Sequence, residues 1–189
     1  MFDAQCDFAA VVYGVNDDPD RLLLGFAEDL RRSGVRTAGL VQLDGWFCRS
    51  SDSDLRVAVL SNSEVVHVAH DRELGAPRCR LDCGGLASLA KVIETAIRDG
   101  ADLVVINRFG KLEAEGKGLI ELIQLAAEAE IPMLIAVPEH RFASWIKYCG
   151  GMSVRLPCRR TALDRWWRSS VAMQGAGRST ATTFCAFTK

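Results

Sequence analysis

The sequence predicts an α/β domain with a doubly wound, mainly parallel sheet and an inserted β-hairpin. Short apolar runs suited to strands buried on both faces alternate with amphipathic segments, a pattern typical of parallel sheets covered by helices. Two strand-like runs at 55–60 and 65–69 are separated by only four polar residues, which predicts a hairpin. We find no internal repeat and no second domain. We therefore expect one α/β domain over residues 1–170 and a flexible tail over 171–189.

The first predicted unit is a strand followed by a helix. FAAVVY (8–13) is an apolar run suited to a buried strand. Asp18, Pro19 and Asp20 then predict a helix start, because aspartate is a good N-cap, proline fits the first helical position and acids suit the positive end of the helix. An apolar stripe follows and Gly34 ends the helix.

The remaining elements alternate in the same way along the chain. A second strand is predicted at about 37–42, and the hairpin strands are LRVAVL (55–60) and VVHVA (65–69). Further helices are predicted at 84–98, 117–129, 140–148 and 161–168, and further strands at 102–107, 132–137 and 153–156. Trp46, Trp145, Trp166 and Trp167 are interpreted as packing residues.

Composition and charge exclude several function classes. The chain of 189 residues is 49% hydrophobic and 25% charged, as in ordinary globular proteins, and its net charge of -1 gives no general attraction to nucleic acid or anionic membrane. No apolar run approaches the roughly 20 residues needed to span a bilayer. The start, MFDAQCDF, lacks the features of a signal peptide, so we expect a cytoplasmic protein without membrane insertion.

The seven cysteines are an odd number spread widely, which favours reduced thiols over a disulfide framework. Cys79 and Cys83 are the candidates for metal binding, because three intervening residues can place two thiolates on one ion. Structural zinc sites usually show two such pairs and only one is present, so ordinary thiols are the default interpretation. His67, His70 and His140 have no ligand at a suitable spacing.

The segment ADLVVINRFGKLEAEG (101–116) carries the strongest functional signal. A buried strand runs directly into a turn that holds Asn107, Arg108, Gly110 and Glu113, and ligands of open α/β sheets bind at the carboxyl ends of strands. We expect a pocket formed by residues 14–18, 82–85 and 107–116. The candidate ligand-binding residues are Gly14, Val15, Asn16, Asp17, Asp18, Asp82, Asn107, Arg108, Gly110, Lys111 and Glu113.

These motifs resemble known families. The order of elements resembles the THEP1-type nucleoside-triphosphatases within the P-loop NTPases. Closer still is the DUF2478 family of uncharacterised bacterial proteins, which has an NRFGKxEAEG segment like residues 107–116. The similarity covers about residues 8–168 and implies a P-loop NTPase type of sheet. The resembled family is associated with molybdenum uptake, which implies a role in metal-cofactor metabolism.

The chain departs from the nucleotide-hydrolase pattern in both of its motifs. A working phosphate-binding loop has the form G-x-x-x-x-G-K-[ST], but here only Gly14 remains and aspartates stand at 17, 18 and 20. The second motif of the THEP1 type begins with two acids, where this chain has Asn107 and Arg108. Without these groups there is little to anchor Mg²⁺ or to orient a water molecule.

Three hypotheses follow for the function. The first is a degenerate P-loop NTPase-like protein that binds a nucleotide, an oxyanion or a cofactor fragment without efficient hydrolysis, in an accessory or regulatory role. The second is a divergent nucleoside-triphosphatase with Glu113 as general base, which alone would require Mg²⁺ as a cofactor. The third is a protein-interaction module that uses the hairpin at 55–69 and the tryptophan-rich end. The sequence leaves open a protein partner or a homo-oligomer, and the cofactor, if any, is unknown.

Overall fold

The computed structural model describes residues 7–43, 55–68, 70–71, 80–81 and 83–175. Its strands are β1 (Phe8–Tyr13), β2 (Thr37–Gln42), β3 (Leu55–Val59), β4 (Glu64–Val68), β5 (His70–Asp71), β6 (Arg80–Leu81), β7 (Leu103–Ile106), β8 (Met133–Pro138) and β9 (Val154–Pro157). Its helices are α1 (Pro19–Arg32), α2 (Cys83–Arg98), α3 (Lys111–Ala114), α4 (Ile120–Glu128), α5 (Phe142–Tyr148) and α6 (Arg160–Gly175). A short 3-10 turn, Glu139–Arg141, joins β8 to α5.

Seven of these strands form one sheet in the order β4-β3-β2-β7-β8-β1-β9. The five strands from β2 to β9 in that order are parallel. The hairpin of β3 and β4 adds two antiparallel strands beside β2. The predicted fold class, a mainly parallel doubly wound sheet with an inserted hairpin, is confirmed. Strands β5 and β6 form a separate two-stranded sheet.

Helices cover both faces of the sheet, so the central strands are buried on both sides. In β1, Phe8, Ala10 and Val12 point into the core on one face, whereas Ala9 and Val11 point into the core on the other. The first core is closed by α2, α4 and α5, and the second by α1 and α6. This arrangement explains the continuous apolar runs of the strands, because neither face of a strand contacts water.

Helix α1 begins where the sequence predicts it. The side chain of Asp18 accepts the N–H of Arg21 at 3.0 Å, Pro19 occupies the first helical position, and Asp20 lies in the first turn. Leu23, Phe26 and Ala27 form its buried stripe against the sheet. The start of this helix is thereby fixed directly after the carboxyl end of β1.

Strands β2 and β7 approach each other unusually closely at Gly39. A Cβ atom at this position would lie 1.9 Å from the carbonyl oxygen of Val105, and Gly39 has a φ of +124°. Only glycine fits both conditions. Since β7 leads into the Asn107 turn, this contact fixes the base of the candidate site.

Two helices differ from the sequence predictions. The helix predicted at 117–129 is α4, which begins only at Ile120, because Gly118 has a φ of +68°; the short helix α3, which ends before Gly116 with its φ of +75°, was not predicted. Helix α6 is longer than predicted and extends to Gly175, so it contains the first five residues of the segment predicted as a tail. The remainder, 176–189, lies outside the described residues.

The tryptophans described by the structure pack as predicted. Trp145 is fully buried and Trp166 nearly so, while Trp167 is half-buried beside Trp166. Trp46 lies outside the described residues. Within the described part of the chain, none of the helices has both the length and the apolar character needed to cross a membrane.

Candidate functional site

The carboxyl ends of five parallel strands meet at one edge of the sheet. Gly14 follows β1, Asn107 follows β7, Glu139 follows β8 and Cys158 follows β9. Gln42 is the last residue of β2. Because ligands of doubly wound sheets bind at this edge, it is the candidate functional site.

The turn after β1, residues 14–18, satisfies its own backbone groups. The carboxylate of Asp17 accepts the N–H of Gly14 at 2.8 Å, and the N–H of Asp17 is donated to the carbonyl of Gly14 at 3.3 Å. Asp18 accepts the N–H of Arg21, and Pro19 has no N–H to donate. Val15 and Asn16 lie exposed at the tip. In a phosphate-binding loop such N–H groups point at the phosphate, whereas here the segment's own oxygens accept three of them.

A buried polar network joins this turn to the segment after β7. Asp20 accepts the Nδ2–H of Asn107 at 2.7 Å, and Nη2 of Arg108 donates to Oδ1 and Oδ2 of Asp20 at 3.0 and 2.9 Å. The Oδ1 atom of Asn107 accepts the backbone N–H of Gln42 at 3.1 Å. Helix α1 and strands β2 and β7 are therefore linked through two side chains, those of Asp20 and Asn107.

Burial makes this network energetically important. The side chain of Asp20 is only 7% exposed and that of Arg108 only 18%. A carboxylate removed from water to this extent is tolerated only when charged or polar donors surround it. Asp20, which the sequence analysis interpreted as a first-turn residue of a helix, is the central acceptor of the site.

Phe109 anchors the segment after β7 in the core. Its ring is fully buried and meets Trp145 edge to face, with ring centroids 5.3 Å apart. Its backbone N–H donates to the carbonyl of Ala136 in β8 at 2.8 Å. Because Phe109 is held on both sides, the neighbouring residues Arg108 and Gly110 have fixed positions at the sheet edge.

Glu113 closes the turn that follows. Its carboxylate accepts the N–H of Gly110 at 2.8 Å and the N–H of Leu119 at 3.2 Å, and the residue is buried. A Cβ atom at Gly118 would lie 2.2 Å from Oε1 of Glu113, and one at Gly110 would lie 2.9 Å from Oε2. Gly110 and Gly118 therefore both leave room for this carboxylate. Glu113 serves as a structural link between the two ends of the segment.

Three further residues at this edge were missed by the sequence predictions. The hydroxyl of Tyr13, at the end of β1, is buried and makes no hydrogen bond with any described residue. Burial raises the pKa of Tyr13; the positive charges of Arg108 and Arg141 oppose this and the charge of Asp20 adds to it. Arg141 follows β8 and Cys158 follows β9, so the strand-end rule applied to every strand would have found both.

The thiol of Cys158 lies in an acidic environment. Burial, together with the negative charges of Asp17, Asp18 and Asp20, raises its pKa to about 12. At neutral pH the side chain is therefore a protonated thiol and a poor nucleophile.

The remaining predicted site residues have mixed outcomes. Lys111 is exposed and pairs with Glu115, with 3.5 Å between the charged atoms, as in an ordinary surface ion pair. Cys79 and Asp82 lie outside the described residues, and Cys83 is the first residue of α2. Among the residues that the structure describes, no group of three or more histidine, cysteine or acidic side chains is arranged to hold a metal ion.

Comparison with protein families decides where this chain belongs. The sequence model of the family described as "Protein of unknown function (DUF2478)" matches residues 8–166. The chain belongs to the DUF2478 family. This confirms the resemblance, which the sequence analysis placed over about residues 8–168.

One curated relative of this DUF2478 chain is a longer protein. The chain is 39% identical over 165 residues to the molybdenum import ATP-binding protein ModC 2 of Bradyrhizobium diazoefficiens. The match covers 86% of the chain but 18% of that protein, so the chain corresponds to a small part of it.

A solved structure shares the fold. The solution structure of a human cancer-related nucleoside triphosphatase matches with a TM-score of 0.51 and 14% identity, covering 92% of this chain and 99% of that one. At this identity the likeness shows the fold alone. The DUF2478 chain therefore shares the fold of that nucleoside triphosphatase, in agreement with the fold class that the sequence predicted.

Proposed function

We propose that this protein is a non-hydrolysing member of the P-loop fold that binds a small oxyanion at the carboxyl edge of its sheet, in an accessory or regulatory role in molybdenum uptake. One observation carries the proposal. The turn at the position of the phosphate-binding loop accepts its own N–H groups with Asp17 and Asp18, and the helix begins with Pro19. A magnesium-bound triphosphate would find negative charge in place of donors there.

The charges at the edge support an anionic ligand of modest size. Arg108 and Arg141 follow β7 and β8 at this edge, and the charges of both act on the hydroxyl of Tyr13. A guanidinium offers a planar fork suited to an oxyanion, and a phenolic hydroxyl supplies one more donor. Asn107, which the sequence analysis also proposed for the ligand, is buried and bonded to Asp20 and to the N–H of Gln42, so it supports the site by positioning Asp20.

Sequence similarity supports the proposed role in molybdenum uptake. The chain is similar to a segment of a protein named for molybdenum import. Molybdate is a tetrahedral oxyanion, which agrees with the donors at the edge. A domain that senses the transported anion would be useful to an import system without hydrolysing ATP itself.

The hydrolytic alternative requires Glu113 to act as a general base. Both oxygens of its carboxylate already accept backbone N–H groups, and the residue is buried. Uptake of a proton would remove the negative charge from the carboxylate that these two N–H groups share, and so would weaken the turn. We therefore expect no phosphate release above a blank from nucleotides with Mg²⁺; turnover that is lost in Glu113→Gln but kept in Glu115→Gln would support the alternative instead.

Thermal unfolding in the presence of ligands tests the proposal. Molybdate, sulfate, phosphate and nucleotides with and without Mg²⁺ would be screened for an increase in Tm, because a ligand that binds only the folded state stabilises it. We expect an oxyanion to raise Tm, and Arg108→Ala to abolish the increase. Arg36→Ala removes an exposed arginine at the opposite end of β2 and is the matched control. An increase that persists in Arg108→Ala would exclude Arg108 from the site.

Arg141→Ala provides a second test that leaves the buried pair intact. It should reduce the Tm increase caused by the oxyanion without removing Asp20's partner. Equal increases in wild type and Arg141→Ala would show that the anion binds elsewhere.

A further inference from the structure

The buried pair of Asp20 and Arg108 presents a carboxylate to the guanidinium that forms the proposed anion site. Nη2 of Arg108 donates to both oxygens of Asp20, at 3.0 and 2.9 Å. A carboxylate and a tetrahedral oxyanion offer a guanidinium the same kind of acceptor, two negatively charged oxygens at a short separation. Asp20 therefore occupies the position on this nitrogen that an anionic ligand would take.

We infer that Asp20 is an autoinhibitory competitor for Arg108: its carboxylate holds the guanidinium in the resting protein, and a tetrahedral oxyanion binds by displacing it. This inference rests on the proposed function and specifies how the same site is regulated. It predicts weak binding to the wild type, because each anion must first separate a buried ion pair.

The surroundings of Asp20 make the displacement feasible. After it leaves Arg108, its carboxylate would keep the hydrogen bond from Asn107, now 2.7 Å, and its place in the positively polarised first turn of α1. Asn107 is itself fixed by the N–H of Gln42. Asp20 would therefore not be left as an isolated buried charge, which is the condition that makes breaking such pairs most unfavourable.

The hydroxyl of Tyr13 gives the incoming anion a further donor. It is buried, it makes no hydrogen bond within the described residues, and the charges of Arg108 and Asp20 act on it. An oxyanion on Arg108 would bring acceptor oxygens towards the edge at which this hydroxyl is buried. The exchange would replace one acceptor by another and add a partner for Tyr13.

Calorimetric titration of Asp20→Asn with molybdate, sulfate and phosphate tests the inference. Removal of the competing charge should tighten binding of at least one of these anions by about tenfold or more relative to wild type. Asp102→Asn makes the same chemical change in the exposed pair with Arg36 and should leave the affinity unchanged. Equal or weaker binding by Asp20→Asn would overturn the inference while leaving the proposed function intact.

A measurement on the wild type keeps the test independent of the variant's folding. Hydrogen exchange of peptides that cover residues 14–24 would be followed without anion and with saturating molybdate, sulfate or phosphate. Displacement of Asp20 should speed exchange in the first turn of α1, because the pair with Arg108 is lost and only the hydrogen bond from Asn107 still links this turn to the segment after β7. Unchanged or slower exchange there would contradict the inference. Failure of all three anions to bind wild type and Asp20→Asn alike would overturn the proposed function and this inference together.

Discussion

Strands β2 and β7 lie side by side and have an arginine–aspartate pair near each end. Just before their first residues, Arg36 donates to Asp102 through its backbone N–H at 2.8 Å and through Nη2 at 2.9 Å. At their carboxyl ends, Arg108 donates to Asp20 at 2.9 and 3.0 Å. The side chains of the first pair are 64% and 40% exposed, whereas those of the second are 18% and 7% exposed.

Similar distances therefore have different consequences at the two ends. Water screens the exposed pair and can solvate either partner alone, so its loss should matter little. Water cannot solvate a single partner of the buried pair in the same way, so removal of one partner leaves the other charge in a poorly solvated position. The difference teaches that the end of the sheet with the candidate site is also the end that is more sensitive to the loss of a charged partner.

The largest effect should follow from removing Asp20. Asp20→Ala leaves Arg108 and Asn107 without their common acceptor, and we expect a loss of about 3–5 kcal/mol in the free energy of unfolding. Urea denaturation measures it, with Asp102→Ala as the matched control that should change little. Similar losses in the two variants would show that burial does not distinguish the pairs.

Removal of the Glu113 carboxylate should cause a smaller but clear loss of stability. Glu113→Ala leaves the buried N–H groups of Gly110 and Leu119 without an acceptor, which should lower the free energy of unfolding by about 2–4 kcal/mol. Glu115→Ala removes an exposed carboxylate two residues away and should have little effect. If both variants unfolded at the same urea concentration as the wild type, the structural role of Glu113 would be wrong.

The exposed pair should show a minor effect that depends on pH. The Arg36 guanidinium holds the pKa of Asp102 below its usual range, mainly through their hydrogen bond. A carboxyl whose pKa is lowered in the folded state adds stability above its unfolded pKa and loses it as the pH falls through the folded value. The small difference between wild type and Asp102→Asn at pH 7 should therefore shrink below about pH 4. A difference that grows towards acid pH would contradict this assignment.

The smallest effect concerns the acidic environment of Cys158. Asparagine is also a good N-cap, so Asp18→Asn removes a charge while keeping the helix start. It should lower the pKa of Cys158 slightly and speed its alkylation at alkaline pH by about twofold. Peptide mass spectrometry resolves this cysteine from the other six. Asp102→Asn, at the other end of the sheet, should not change the rate.

The sequence predicted the elements of the sheet because their signals are local. The apolar run of β1, the cap formed by Asp18 and the turn after β7 all depend on neighbouring residues, and all lie where they were predicted. The short helix α3 was missed and α4 begins later than predicted, since Gly116 and Gly118 fit a helix start in the sequence but have positive φ values in the structure.

The contacts within the site could not be read from the sequence. Asp20 and Arg108 are 88 positions apart, and their pairing depends on how α1 lies across the sheet. The predictions placed Arg108 correctly at the strand end but expected it to face a ligand, without the carboxylate that now neutralises it. A local pattern identifies which residues lie at an edge, but not which of them neutralise each other.

The shared acceptor at position 20 has an evolutionary consequence. Asn107 and Arg108 both donate to the carboxylate of Asp20. A neutral residue at position 20 would therefore take the carboxylate away from the Arg108 cation, and a neutral residue at position 108 would take the guanidinium away from the Asp20 anion. Relatives should therefore lose or keep the two charges jointly, and a lineage that exchanged only one of them would be expected to carry a compensating substitution nearby.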